Sequence, residues 1–263
     1  MKRVLVSGGF DDLRSRHIRF LEEAAKLGAV HVLLWPDERV RVQAGVCKFP
    51  LEERRYLLES IRYVEQVSVF DDDAIANADV WLVEESDAGP ASRALAAAHG
   101  LEHRALAPAD LAAFPTAAFD PALMPAERPR VIVTGCYDWF HSGHVRFFEE
   151  ASQLGDLYVV VGHDANVRLL KGEGHPLFPA AERRYMVQSI RFVAQALVSS
   201  GHGWMDAEPE VERVRPHIYA VNEDGDKLEK RQFCAERGLE YVVLKRTPRA
   251  GLKARSSSEL RGF

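Results

Sequence analysis

Two apolar periods alternate along this chain. Val131-Ile132-Val133 is a short β-branched run, Val145 to Leu154 repeats its apolar positions at helical spacing, and Tyr158 to Val161 is again continuous and apolar. Further on, Ala180 to Val193 reads as a helix, Ile218 to Val221 as a strand, Lys227 to Glu236 as a helix and Tyr241 to Leu244 as a strand. Strands alternating with helices predict a parallel sheet covered on both faces. Such sheets bind ligands beyond the carboxyl ends of their strands, at the point where strand order reverses. The segment His141-Ser142-Gly143-His144 follows the first of these strands, where that rule puts a site.

The pattern occurs twice. Val4 to Gly28 matches Val131 to Gly155 at 13 of 25 positions without a gap, and Phe49 to Val67 matches Phe178 to Ala196 at 11 of 19. Weaker echoes pair Trp81-Leu82-Val83 with Tyr219-Ala220-Val221 and Gly100-Leu101-Glu102 with Gly238-Leu239-Glu240. The expected architecture is α/β: two tandem Rossmann-like, doubly wound parallel-sheet domains related by a pseudo-twofold. Between them, Leu106 to Arg130 holds five of the thirteen prolines, a composition that resists long helices and central strands. The boundaries expected are 1–105 for the first domain, 106–130 for a linker and 131–263 for the second. The linker is read as partly packed, because Leu111, Phe114, Phe119, Leu123 and Met124 offer apolar anchors.

Composition narrows the classes. At 263 residues, 47% hydrophobic and 28% charged, the chain fits an ordinary globular protein of two domains. A formal charge of -5 leaves no footprint for general nucleic-acid binding, so an anionic ligand must be handled locally. Cys47, Cys136 and Cys234 lack paired metal-ligand spacing, and the amino terminus lacks the apolar core of a signal peptide. A cytoplasmic location is expected, with no membrane segment, since apolar runs such as Leu157 to Val161 span about five residues against the roughly 20 needed.

The candidate chemistry sits at a strand-to-helix junction. His141 and His144 stand three apart, on one helical face, with Gly143 leaving backbone open between them. A helix amino terminus offers free N–H groups and partial positive charge, which suits a phosphate. Two surface histidines or a zinc site are the alternatives, although no third ligand at metal spacing accompanies the pair.

Thr134 to His144 resembles the (T/N)GxFDxxHxGH signature of the nucleotidyltransferase superfamily that includes the cytidylyltransferases. Phe178 to Val193 is similar to the second signature, ERR…RYVDEV, of the glycerol-phosphate, choline-phosphate and ethanolamine-phosphate branches. The resemblance covers nearly all of the second half. It implies that His141 and His144 stabilise charge developing on an α-phosphate, that Lys171, in a flexible loop, contacts phosphate, and that Arg183 is the motif arginine. Thr134, Gly135, Tyr137, Asp138 and Gly143 would line the nucleotide, although Tyr137 and Asp138 also read as packing and turn residues. Arg246 and Ser256-Ser257-Ser258 resemble a split RTxGIST(T/S) phosphate grip, interrupted by Arg249 to Ala254. Asp224 would touch base or ribose and Trp204 the acceptor. Mg²⁺ would arrive with the triphosphate, held by phosphate oxygens and water, and no protein metal ligand is nominated.

The first half departs from this pattern. Arg14 replaces the first histidine, Arg16 the glycine, and no serine cluster follows Leu101-Glu102-His103. Residues 1–105 are therefore expected to be catalytically silent, and the chain to be a monomer with an internal pseudo-dimer. The resemblance implies a cytidylyltransferase that joins CMP from CTP to phosphoethanolamine, phosphocholine, glycerol phosphate or a sugar phosphate and releases pyrophosphate. An ATP-dependent adenylyltransferase and a non-catalytic nucleotide-binding scaffold are the alternatives.

Overall fold

In a computed structural model the chain divides into two compact units, Met1–Phe114 and Pro115–Phe263. The structure describes residues 1–71, 75, 78–115, 120 and 127–257. Phe119, Leu123, Met124 and Ser258 thus lie outside the described residues, whereas the anchor Leu111 is buried.

The first unit comprises β1 (Arg3–Gly8), α1 (Ser15–Leu27), β2 (Ala29–Leu34), α2 (Asp37–Ala44), α3 (Leu51–Glu59), β3 (Gln66–Val69), β4 (Val80–Glu84), α4 (Pro90–Ala98) and β5 (Glu102–Leu106). The second comprises β6 (Arg130–Gly135), α5 (Ser142–Leu154), β7 (Asp156–Val161), α6 (Asp164–Lys171), α7 (Ala180–Gln188), β8 (Val193–Val198), α8 (Glu208–Val214), β9 (Ile218–Asn222), α9 (Leu228–Glu236) and β10 (Glu240–Leu244). The strand orders, β3-β2-β1-β4-β5 and β10-β9-β6-β7-β8, are the same topology, and every pair is parallel. Order reverses between β1 and β4 and between β6 and β9, so each unit opens a crevice at the carboxyl ends of those strands. Central strands are covered on both faces, which is why Val131, Ile132 and Val133 are all fully buried rather than alternating.

Three elements correct the sequence reading. Lys171 closes α6 instead of lying in a loop; the helix predicted over Ala180 to Val193 stops at Gln188; and β8 begins at Val193. In β8 the buried Gln195 escapes an unpaired amide because its side chain donates to Asp120 O at 2.9 Å and accepts from Asp120 N at 3.1 Å.

Candidate nucleotide site

The turn after β6 is shaped by Tyr137, whose backbone is left-handed (φ 52°) and whose ring lies back over Gly135. A Cβ on Gly135 would meet that ring at 2.7 Å, so only glycine fits there. Phe10 (φ 47°) and Gly8 repeat the arrangement in the first unit, with the ring at 2.9 Å. The following aspartate is an anchor in both units. Asp138 accepts from Leu177 N at 2.7 Å, from Phe178 N at 3.1 Å and contacts His175 Nδ1 at 3.2 Å, while Asp11 accepts from Lys48 N and Phe49 N. Its carboxylate ties the turn to the loop that follows α6.

His141 caps the amino terminus of α5. Its Nδ1 accepts the Gly143 N–H at 3.1 Å, which places the proton of the neutral ring on Nε2, 3.3 Å from Ser257 Oγ. His144 stacks on it, with ring centroids 3.9 Å apart. Burial pushes the His141 pKa down to about 3, helped by Arg246 and Arg255, and burial likewise holds His144 well below the usual range, helped by His141, Arg246 and Lys171. Both rings are therefore neutral hydrogen-bond donors at neutral pH. Among the described residues His144 Nδ1 and Tyr137 Oη are buried polar atoms without a hydrogen-bond partner, the condition expected where a ligand supplies the missing group. Gly143 is sterically required: a Cβ would meet the His141 ring at 2.9 Å and Arg255 O at 3.0 Å.

Tyr137, His141 and His144 line one cavity of about 430 Å³. The structure brings to it Thr134, Gly135, Tyr137, Asp138, His141, His144, Lys171, Asp224, Arg246, Ser256 and Ser257. Arg246 is held there by α5: its backbone is left-handed (φ 49°), and its N–H donates to Glu150 Oε2 at 2.9 Å. The helix that carries His144 thus also fixes the arginine, an observed strain at the point where it serves a site. Asn222 and Lys230 line the cavity as well. Lys230 escaped the sequence reading; its place in the first turn of a helix after β9 is the signal that could have found it. Cys136 is present in the wall, but burial raises its thiol pKa, which keeps it protonated and unsuited to nucleophilic attack.

Three expected residues are not among those lining the cavity: Gly143, which lies behind the His141 ring, Arg183 and Trp204. Arg183 is 1% exposed, and its guanidinium donates to Phe178 O, Cys136 O, Gly162 O and Asp164 Oδ1 at 2.6 to 2.8 Å. Arg54 does the same in the first unit, toward Phe49 O, Gly9 O, Trp35 O and Asp37 Oδ1. The motif arginine is a clamp on three loop carbonyls. Trp204, expected at the acceptor, is 51% exposed, packs edge-on against Phe233 and is not among the cavity-lining residues.

A parallel sheet of this order, with two histidines at a helix start and cations converging at its switch point, defines a nucleotidyltransferase-type site. The profile of the Cytidylyltransferase-like family matches residues 132–251. The chain is 38% identical over 136 residues to the FAD synthase of Aciduliprofundum boonei, covering 51% of this chain and 84% of that protein. It is 35% identical over 131 residues to the FAD synthase of Methanoculleus marisnigri, covering 49% and 84%. Over 106 residues it is 38% identical to the bifunctional protein HldE of Methylococcus capsulatus, covering 39% of this chain and 22% of that one. A lipopolysaccharide core biosynthesis protein from Thermoplasma volcanium GSS1, of known structure, aligns at 27% identity and TM-score 0.39, covering 44% of this chain and 96% of that one. The chain belongs to the cytidylyltransferase-like family of nucleotidyltransferases.

Proposed function

We propose that the second unit transfers a nucleotidyl group from a nucleoside triphosphate to a phosphate monoester, with ATP as the donor. The observation that carries this is the convergence of His141, His144, Lys171, Arg246, Ser256 and Ser257 on one cavity. In the reaction an acceptor phosphate oxygen attacks the α-phosphorus, the bond to the β-phosphate breaks, and pyrophosphate leaves with the bonding pair. The attacking group is already anionic, so the protein's task is positioning and charge compensation rather than proton abstraction. The Nε2–H of His141 and the neutral His144 donate to the α-phosphate oxygens, Lys171 and Arg246 balance charge, and Ser256 and Ser257 hold the departing phosphates. Mg²⁺ would arrive with the triphosphate, held by its phosphate oxygens and water.

The relatives named FAD synthase weigh toward adenylyl rather than the cytidylyl transfer expected from the sequence. The family's own description keeps CTP as the second reading. Pyrophosphate release, measured with ATP, CTP, GTP and UTP against a panel of phosphate monoesters, decides between them. Turnover with ATP supports the proposal; turnover confined to CTP reverses the donor, and none with any pair removes the transferase reading. The first unit is proposed to be silent in this reaction, since Arg14 and Arg16 replace His141 and Gly143.

A further inference from the structure

The first unit keeps a cavity of about 530 Å³ at the same crevice, but its lining has changed character. Matching backbone hydrogen bonds fix the equivalences. Trp35 N donates to Gly8 O as Gly162 N does to Gly135 O, and Phe70 N donates to Leu34 O as Ser199 N does to Val161 O. Arg39 and Asn166 are each the third residue of their helices, α2 and α6. Thus Trp35, Arg39 and Phe70 stand where the second unit has Gly162, Asn166 and Ser199. In the second unit the two side chains are spent on polar contacts: Asn166 pairs with Gly203 at 2.8 and 3.0 Å, and Ser199 Oγ donates to Asp206 at 2.6 Å. In the first unit the Arg39 guanidinium lies 4.4 Å from the Trp35 ring centroid and 4.5 Å from that of Phe70, and all three residues line the cavity.

The charge balance has also changed. Lys171, Lys230 and Arg246 line the second unit's cavity beside Asp138 and Asp224; among the described residues, the first unit's cavity is lined by one Lys or Arg, Arg39, beside Glu84 and Asp87. Glu84 ends β4 where Asn222 ends β9, and Arg16, in the place of Gly143, donates to Glu84 Oε2 at 2.8 Å. A triphosphate entering this cavity meets two carboxylates, one of them paired with Arg16, and a guanidinium already stacked on two rings. A flat, uncharged heteroaromatic ring meets a planar guanidinium backed by two aromatic rings, a surface of the kind on which nucleobases stack irrespective of sequence. We propose that the first unit's cavity binds an unphosphorylated nucleoside, its base against Trp35, Arg39 and Phe70 and its sugar hydroxyls donating to Glu84 and Asp87.

The proposal does not rest on the transfer reaction, and binding alone tests it. Calorimetric titration of the full chain with adenosine, cytidine and ATP is compared with Ala91→Phe, which fills the mouth from an exposed position on α4, and with Trp35→Leu, which removes one stacking face. Thermal melts establish that each variant folds, and Leu95→Phe replaces any variant that does not. We expect nucleoside affinity to fall at least about tenfold in both variants while ATP affinity holds. Failure of both nucleosides to bind at millimolar concentration overturns the proposal. So does nucleoside binding that either folded variant leaves within about threefold of wild type, which places it elsewhere, or an equal loss for ATP, which makes the cavity a triphosphate site.

Discussion

Gly143→Ala separates the chemistry of the second unit from its stability. Gly143 is the second residue of α5, and its φ is not positive, so alanine meets no backbone strain and gains up to about 1 kcal/mol of helix propensity. The added methyl, however, would sit 2.9 Å from the His141 ring and 3.0 Å from Arg255 O. The imidazole is the softer of the two and must give way. Swinging it breaks the Gly143 N–H contact to Nδ1 and lifts Nε2 from its place at 3.3 Å from Ser257. Misplacement of a catalytic donor by about 1 Å costs on the order of 10²-fold in turnover, close to the loss on deleting one such donor. We therefore expect kcat to fall about 10²-fold while unfolding free energy stays within about 1 kcal/mol of wild type. Pyrophosphate release and denaturant unfolding on one preparation measure both. Turnover within about threefold of wild type refutes the steric argument, and a loss of more than about 3 kcal/mol of stability shows that the fold, not the donor, was damaged.

His141 in the folded protein titrates near 3 against an ordinary 6.5, so the unfolded chain binds more protons below pH 6.5. Stability is then full above that pH and falls with acid, by about 2 kcal/mol from this ring at about pH 5. His141→Asn should flatten the dependence of Tm on pH in that window, and parallel profiles would rule the buried neutral ring out. Arg183→Met leaves three loop carbonyls and Asp164 without their donor; a loss of roughly 3 kcal/mol or more, read by denaturant unfolding, is expected there and in Arg54→Met, and unchanged midpoints would contradict the clamp. Arg246→Ala removes a charged donor from the cavity but none from the core, so KM for the nucleotide should rise about tenfold or more with Tm held; a change in Tm alone would assign the residue to structure.

Four strands of the second sheet, the duplication and the strand-to-helix junction at the histidines were legible because each is written in local pattern: short apolar runs, a gapless repeat, a switch from continuous to helical spacing. Less local features were misread. Asp164–Lys171 has only eight residues, and its Leu169 and Leu170 are 70% and 57% exposed, so little of its apolar content is tied to the core. The strand Val193–Val198 carries Gln195 at a buried position, tolerable only through a backbone partner 75 residues away. Arg183 shows the limit most clearly. A charged residue in a family motif reads as a ligand contact, yet three carbonyls from Cys136, Gly162 and Phe178 converge on it only in three dimensions. Lys230 reaches the cavity from a separate helix, with no fixed spacing to the histidines.

The duplicated fold also supplies an internal control for assigning roles. A residue present in both units with the same contacts belongs to the architecture, whatever its polarity. The Asp11 and Asp138 carboxylates each take two N–H groups from the loop before the next helix, and Arg54 and Arg183 each close the same set of carbonyls. Those four charged groups frame the crevice in both units, and Lys171, Lys230, Arg246, Ser256 and Ser257 line it in the second. What differs is therefore chemistry laid on a common frame: Gly143, His141, Lys171 and Arg246 on one side, and Trp35, Arg39, Phe70 and Glu84 on the other. Trp35, Arg39 and Phe70 differ together from Gly162, Asn166 and Ser199 and form one stacked, cavity-facing set. Their joint change is why the same frame is read here as two sites of opposite electrostatic preference, one for phosphates and one for an uncharged ring.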